Sequence, residues 1–347
     1  MYKLLLLLVC FRSKLLRAII ISAKYTVWPK NNSALFDGPG WIRWSHEMLR
    51  VVKSLLEGGA DPKWSSGNEE NNSLSDISAL IVFFRSVIHI VSLHDDLYDD
   101  VIHLVELLLT EENLELVETR GTILHALVGT TWEQMPSQLP PTFVSRYTDI
   151  IKMVVNRKKT LLESKDHRGR IPLQCFFNGL KGNKGLLKEL SGIVNILKTD
   201  IDKPDADDRT ALWHLAEIAP FPLSPQVLED YRTFSELLEL MHSPGNANYQ
   251  NRDGDTVLHL MSKMVFLFPQ KANELFRPIC ILATLQNVNA KNADNLTPYS
   301  WILTTKKFSE DTPGKSKCIE AFSKLEQELS KYGADVLAGK QGTDYIQ

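Results

Sequence analysis

Apolar residues return every three or four positions through a series of paired segments, the spacing of helices that bury one face. The first member of each pair is predicted over Ala79 to Val91, Thr122 to Val128, Pro172 to Leu180, Ala211 to Ile218, Val257 to Phe268 and Pro298 to Thr304. Second members are predicted over Met48 to Glu57, Val101 to Leu109, Asp149 to Val155, Leu186 to Leu197, Phe234 to Met241, Pro278 to Leu285 and Ile319 to Lys331. Neither helix of a pair can bury its apolar face alone, so successive pairs are expected to stack, each touching mainly its neighbours.

The polar residues ahead of the first helices repeat as well. Asn251-Arg252-Asp253-Gly254-Asp255-Thr256-Val257-Leu258-His259 and Asn292-Ala293-Asp294-Asn295-Leu296-Thr297-Pro298 share one order. Each is a polar turn with a residue suited to positive φ, followed by Thr opening an apolar run. Further openings are Lys165-Asp166-His167-Arg168-Gly169-Arg170-Ile171-Pro172, Gly121-Thr122-Ile123-Leu124-His125, Asp208-Arg209-Thr210-Ala211-Leu212-Trp213-His214 and the shorter Ser78-Ala79-Leu80. Leu55-Leu56-Glu57-Gly58-Gly59-Ala60-Asp61 and Tyr332-Gly333-Ala334-Asp335 read as closings of such units.

These residues resemble the ankyrin repeat, with its D-G turn, T-P-L-H-x-A helix start and L-L-x-x-G-A-D ending. The resemblance spans residues 43 to 337 and implies an all-α, ankyrin-like helical repeat solenoid of six or seven units with short turn or hairpin fingers. The openings at 78, 122, 171, 210, 256 and 297 are spaced 44, 49, 39, 46 and 41 residues apart, against roughly 33 for the standard unit. The chain also departs from the pattern in detail: Ile171 replaces Thr, and Gln174, Trp213 and Ser300 replace His, so that only His125 and His259 stand where His belongs. Thr suits a helix start, and a His three residues on can bridge that turn or the next unit, a structural role rather than a catalytic one.

The surplus length concentrates in proline-bearing stretches at Trp132 to Arg146, Ala219 to Arg232 and Lys306 to Lys317, read as loops because proline interrupts a helix. Residues 1–40 form a separate apolar segment. Leu4 to Phe11 would suit a signal h-region, but Arg12, Lys14 and Arg17 follow at once and the uncharged run is far short of the ~20 residues that cross a bilayer. The favoured reading is a pair of capping helices or the remnant of a longer chain. Residues 41–337 are the array and 338–347 a tail.

Composition narrows the function. Lys plus Arg is 39 and Asp plus Glu 42, a net charge of -3, which argues against a nucleic-acid partner. Basic residues gather between Lys152 and Lys203 and acidic ones between Asp95 and Glu118, a division that could steer a protein partner. Cys10, Cys175, Cys280 and Cys318 have no zinc spacing and read as reduced thiols, which with the soluble composition suggests a cytoplasmic or nuclear location. His94, Asp95, Asp96, Asp99 and Asp100 match no calcium loop, and the acids more simply favour a helix N-terminus. No phosphate-binding glycine loop, H-E-x-x-H or G-x-S-x-G is present, so no enzyme, cofactor or metal is expected.

The expected activity is that of a non-enzymatic scaffold binding another protein. By the resemblance, contacts fall on the concave face formed by turns and first helices, and the candidates are Lys63, Trp64, His167, Arg168, Arg209, Asn251, Arg252, Asp255, Asn292 and Asn295. Trp64 is the best single anchor, as an aromatic beside a turn. The alternative is a regulatory or sensor fragment of a larger protein, such as a nucleotide-switched receptor or a ubiquitin-ligase adaptor. No stable membrane insertion is expected.

Overall fold

A computed structural model describes residues 49–63, 78–93, 95–118, 121–129, 141–180, 190–219, 227–268, 272–303 and 316–334. All regular structure among these residues is helical; the one β-type contact is an isolated bridge between Glu118 and Gly121. The chain divides into two compact units, Met1–His167 and Arg168–Gln347. No described helix is long and apolar enough to cross a membrane.

The first unit contains α1 (49–57), α2 (Ala79–Leu93), α3 (Tyr98–Leu108), α4 (Glu111–Leu114), α5 (Ile123–Val128) and α6 (Phe143–Arg157). Helix α2 is its centre, packing against α3, α5 and α6. Leu80, Phe84, Phe143 and Tyr147 are fully buried there, each such side chain contributing roughly 1.5–3 kcal/mol through lost apolar surface. Tyr147 stacks on Phe143 at 5.8 Å and donates its hydroxyl to the Leu127 carbonyl at 2.7 Å, so the buried phenol leaves no polar cost. Asp99 and Asp100 lie in the first turn of α3, where acidic charge suits the helix dipole.

The second unit contains α7 (Pro172–Gly179), α8 (Ser191–Leu197), α9 (Ala211–Glu217), α10 (Val227–Met241), α11 (Pro244–Asn248), α12 (Val257–Leu267), α13 (Ala272–Leu282), α14 (298–303) and α15 (Ser316–Lys331). Its packing is sequential. Helix α9 touches α7 on one side and α12 on the other, while α13 touches α10 and α15. Within pairs, α7 meets α8, α9 meets α10 and α12 meets α13. Phe176, Phe177, Phe234, Tyr299 and Phe322 are its largest fully buried side chains.

The first helices begin and end within two residues of the apolar pattern, whereas several second helices start earlier than expected; α8, expected from Leu186, is helical from Ser191, and residues 181–189 fall outside the described residues. Helix α6 starts at Phe143 rather than Asp149, α10 at Val227 rather than Phe234 and α15 at Ser316 rather than Ile319. Part of each expected loop is therefore helix, Pro141, Thr142 and Ala219 are described but not helical, and the remainder (132–140, 220–226 and 306–315) falls outside the described residues. Helix α13 is expected to start at Pro278 and instead runs through it from Ala272. An internal proline costs about 3 kcal/mol; Leu275, Ile279 and Leu282, all with no exposed surface, hold the helix against that penalty.

Candidate interaction surface

Three turns of one construction precede α9, α12 and α14. In the first, the Asp205 amide donates to the Arg209 carbonyl at 3.0 Å, and its carboxylate accepts the Asp207 and Arg209 amides, both at 2.9 Å. Asn251 does the same with Asp255, its side-chain oxygen accepting the Asp253 and Asp255 amides at 3.0 and 2.9 Å. Asn292 repeats it with Leu296 and the Asp294 and Leu296 amides. One residue in each takes positive φ: Asp208 at 57°, Gly254 at 75° and Asn295 at 62°. Asp and Asn serve at the first position because a short side-chain oxygen reaches the amides two and four residues on.

The helices that follow are capped and tied to the next turn by one side chain. Thr256 opens α12, and its amide donates to His259 Nδ1 at 3.0 Å. His259 Nε2, carrying the proton, then donates to the Leu296 carbonyl of the following turn at 3.0 Å. Gln174 performs both tasks in α7: its Oε1 accepts the Ile171 amide at 2.8 Å and its Nε2 donates to the Arg209 and Lys203 carbonyls at 2.9 and 3.1 Å. The amide dipole of Gln and the neutral imidazole ring each offer an acceptor and a donor on opposite edges, so the two are interchangeable here. Burial holds His259 below its usual pKa of 6.5, outweighing the Asp255 charge and the carbonyl bonds that favour its protonation.

Helix α9 solves the problem differently. Trp213 occupies the bridging position, and its indole N–H goes to Glu217 at 3.1 Å. His214, one residue later, turns back so that Nε2 lies 2.8 Å from the Asp205 carboxylate. Burial raises the Asp205 pKa, but the bonds from His214 and the Arg209 and Asp207 amides outweigh it and hold the carboxyl below its ordinary value. Arg209 reaches the same Glu217 at 3.4 Å.

Successive turns also touch directly. The Ala206 amide donates to the Arg168 carbonyl and the Ala293 amide to the Asp253 carbonyl, both at 2.8 Å. Asn292 Nδ2 donates to the Asp255 carboxylate at 2.8 Å. Arg252 extends across to the preceding turn, with its guanidinium bonded to the Ala206 carbonyl and Nε 3.4 Å from the Asp208 carboxylate.

Seven of the ten expected contact residues therefore belong to one row of turns in the second unit: Arg168, Arg209, Asn251, Arg252, Asp255, Asn292 and Asn295. They are not equally available. Asn251, expected to be exposed, is buried, with only 9% of its surface exposed, because its side chain is the staple of its own turn. Asn292 and Asp255 are half-buried and bonded to each other, and Arg209 is half-buried against Glu217. Arg168, Arg252 and Asn295 are exposed, joined by Asp207, Asp253, Lys291 and Asp294, which the sequence reading did not single out. Their signal was available: Asp207, Asp253 and Asp294 lie between the staple of each turn and its Thr, and Lys291 lies just before the Asn292 staple. Lys63 and His167 lie in the first unit, Lys63 paired with Glu112 at 2.9 Å and His167 exposed; Trp64 falls outside the described residues.

A second recurring device escaped the sequence reading. In Thr110-Glu111-Glu112-Asn113, Ser243-Pro244-Gly245-Asn246 and Thr284-Leu285-Gln286-Asn287 the hydroxyl accepts the Asn amide. Each Asn side chain in turn donates to the last carbonyls of the helix before it: Leu108, Met241 and Leu282 at 2.8, 2.6 and 2.8 Å. Asn287 also reaches the Ala247 carbonyl of α11 at 3.0 Å. The closings at Gly59 and Gly333 use positive-φ glycine instead, at 84° and 80°.

Cys175 is buried and Cys280 half-buried, both as free thiols, and burial pushes the Cys280 thiol up to about 11, far from a nucleophile's range. Among the described residues no group of three His, Cys, Asp or Glu side chains is placed to hold a metal ion. His94 falls outside them. No family model and no curated protein matches the chain.

Proposed function

We propose that the chain is a non-enzymatic scaffold, built on an ankyrin-like helical repeat, that binds a partner protein through the exposed tips of its turn row. The observation that carries this reading is the threefold recurrence of one turn, at Asp205, Asn251 and Asn292, each followed by a capped helix and each tied to its neighbour. The buried polar groups of these turns are spent on holding the fold, while Arg168, Asp207, Arg252, Asp253, Lys291, Asp294 and Asn295 stand outward. A rigid backbone presenting variable outward side chains is the construction of a recognition surface rather than of a catalytic one. Free thiols at Cys175 and Cys280 support a reducing compartment, cytoplasmic or nuclear.

The test is affinity capture with mass spectrometry, comparing the full chain with a variant carrying Arg168→Glu, Asp253→Lys and Asp294→Lys, and with a control carrying Lys324→Glu and Lys331→Glu on the exposed side of α15. The proposal expects a specific partner that is captured by the full chain and the control but lost by the turn variant. A partner retained by the turn variant, with all three proteins equally folded by circular dichroism, would remove the turn row as the binding face.

A further inference from the structure

We infer that the junction between the turn Asp205–Arg209 and the turn Asn251–Asp255 is an ionic joint, held by the Arg252 guanidinium where the flanking junctions are held by a backbone hydrogen bond. The flanking junctions show what is replaced. Ala206 donates its amide to the Arg168 carbonyl, and Ala293 donates its amide to the Asp253 carbonyl. In both, the accepting turn carries glycine one residue after the acceptor, Gly169 and Gly254, at φ of 69° and 75°. A Cβ on Gly169 would lie 3.0 Å from the Ala206 nitrogen, and one on Gly254 would lie 3.0 Å from the Ala293 nitrogen. Glycine is what lets the next turn come close enough to bond.

In the central junction the equivalent position is Asp208, also at positive φ, 57°, but with a side chain. The equivalent donor and acceptor are the Arg252 amide and the Asp207 carbonyl, and among the described residues no backbone hydrogen bond joins them. The Arg252 side chain spans the gap instead. Its guanidinium bonds the Ala206 carbonyl, its Nε lies 3.4 Å from the Asp208 carboxylate and its Nη1 lies 3.9 Å from the Asp207 carboxylate, all three acceptors belonging to the preceding turn. The residue that keeps the turns apart thus supplies part of the charge that holds them together. The Arg252 side chain is 64% exposed and its two carboxylate partners 54% and 44%, so the joint is open to screening by salt and to competition from a carboxylate or phosphate. The backbone hydrogen bonds of the flanking junctions, between a neutral amide and a neutral carbonyl, carry no net charge for salt to screen.

Amide hydrogen exchange on the full chain, resolved at Ala206, Arg252 and Ala293, tests the joint. The Arg252 amide should exchange at least about tenfold faster than the other two in low salt. Raising sodium chloride from about 50 mM to about 500 mM should speed exchange in residues 251–255 several-fold while leaving Ala206 and Ala293 unmoved, and Arg252→Met should abolish that salt response. Asp208→Gly should slow exchange at Arg252 by about tenfold, as the backbone bond forms. An Arg252 amide as protected as Ala206 and Ala293, a salt response equal at all three, or no protection gained in Asp208→Gly would each overturn the joint. The salt comparison needs no variant, so it decides the matter even where a substitution unfolds the turn.

Discussion

At the residue scale, the described chain uses a small set of polar side chains twice over. Gln174 and His259 each cap a helix and brace the following turn, and Asn287 closes one helix while reaching α11. The exchange of His for Gln gives a clean prediction about pH. His259 is held below its usual 6.5 by burial, so the unfolded chain binds more protons there than the folded one as the pH drops. Its contribution to stability is therefore intact above about 6.5 and is lost as pH falls below that value. His259→Gln keeps both hydrogen bonds and removes the titration. Urea unfolding should show the variant within about 1 kcal/mol of the parent at pH 7.5, with a shallower loss of stability between pH 6.5 and 5; an unchanged slope would show that His259 does not carry the effect. The Thr and the residue three places after it were legible in the sequence, because they sit at a fixed offset in a repeated frame. The Ser/Thr-x-x-Asn closings were not, because their partners are backbone carbonyls five residues back and, for Asn287, also one in α11, which leave no mark on the sequence.

At the element scale, glycine is needed where one turn lies against the next. Gly254 and Gly333 both take positive φ, but among the described residues a Cβ on Gly333 meets nothing within 4 Å, whereas one on Gly254 lies 3.0 Å from the Asn292 Cα and the Ala293 nitrogen. Alanine at Gly333 should cost about 1–2 kcal/mol, the left-handed penalty alone. Alanine at Gly254 should cost at least about 1 kcal/mol more, since the turns must separate and the Ala293 bond weakens. Equal losses in denaturant midpoint for the two variants would show that the turns are not closely packed at Gly254. The first helices were legible nearly to the residue, because most of their length is buried and the apolar run is the helix. Of the second helices, α6, α10, α13 and α15 were legible only without their N-terminal turns. Residues such as Ser145, Arg146, Arg232 and Thr148 at their N-terminal ends are polar or half-exposed and read as loop, and Pro278 reads as a start although packing carries α13 through it.

At the scale of the whole molecule, the sequence shows why the fold is helical but not which surface is free. Periodicity reports which residues leave water; it does not distinguish an exposed turn side chain from one bonded back into its own turn, and Asn251 and Arg252 are adjacent residues on opposite sides of that line. The division into two units was equally hidden, since the repeat frame runs past His167 without a change of composition. The central claim is that the row of turns in the second unit is where a partner protein sits. Lysine cross-linking of the captured complex, read by mass spectrometry, addresses it directly, because Lys203 and Lys291 are exposed in and beside the turns while Lys324 and Lys331 are exposed on α15. The account predicts links to the partner from Lys203 and Lys291; links confined to Lys324 and Lys331 would contradict it.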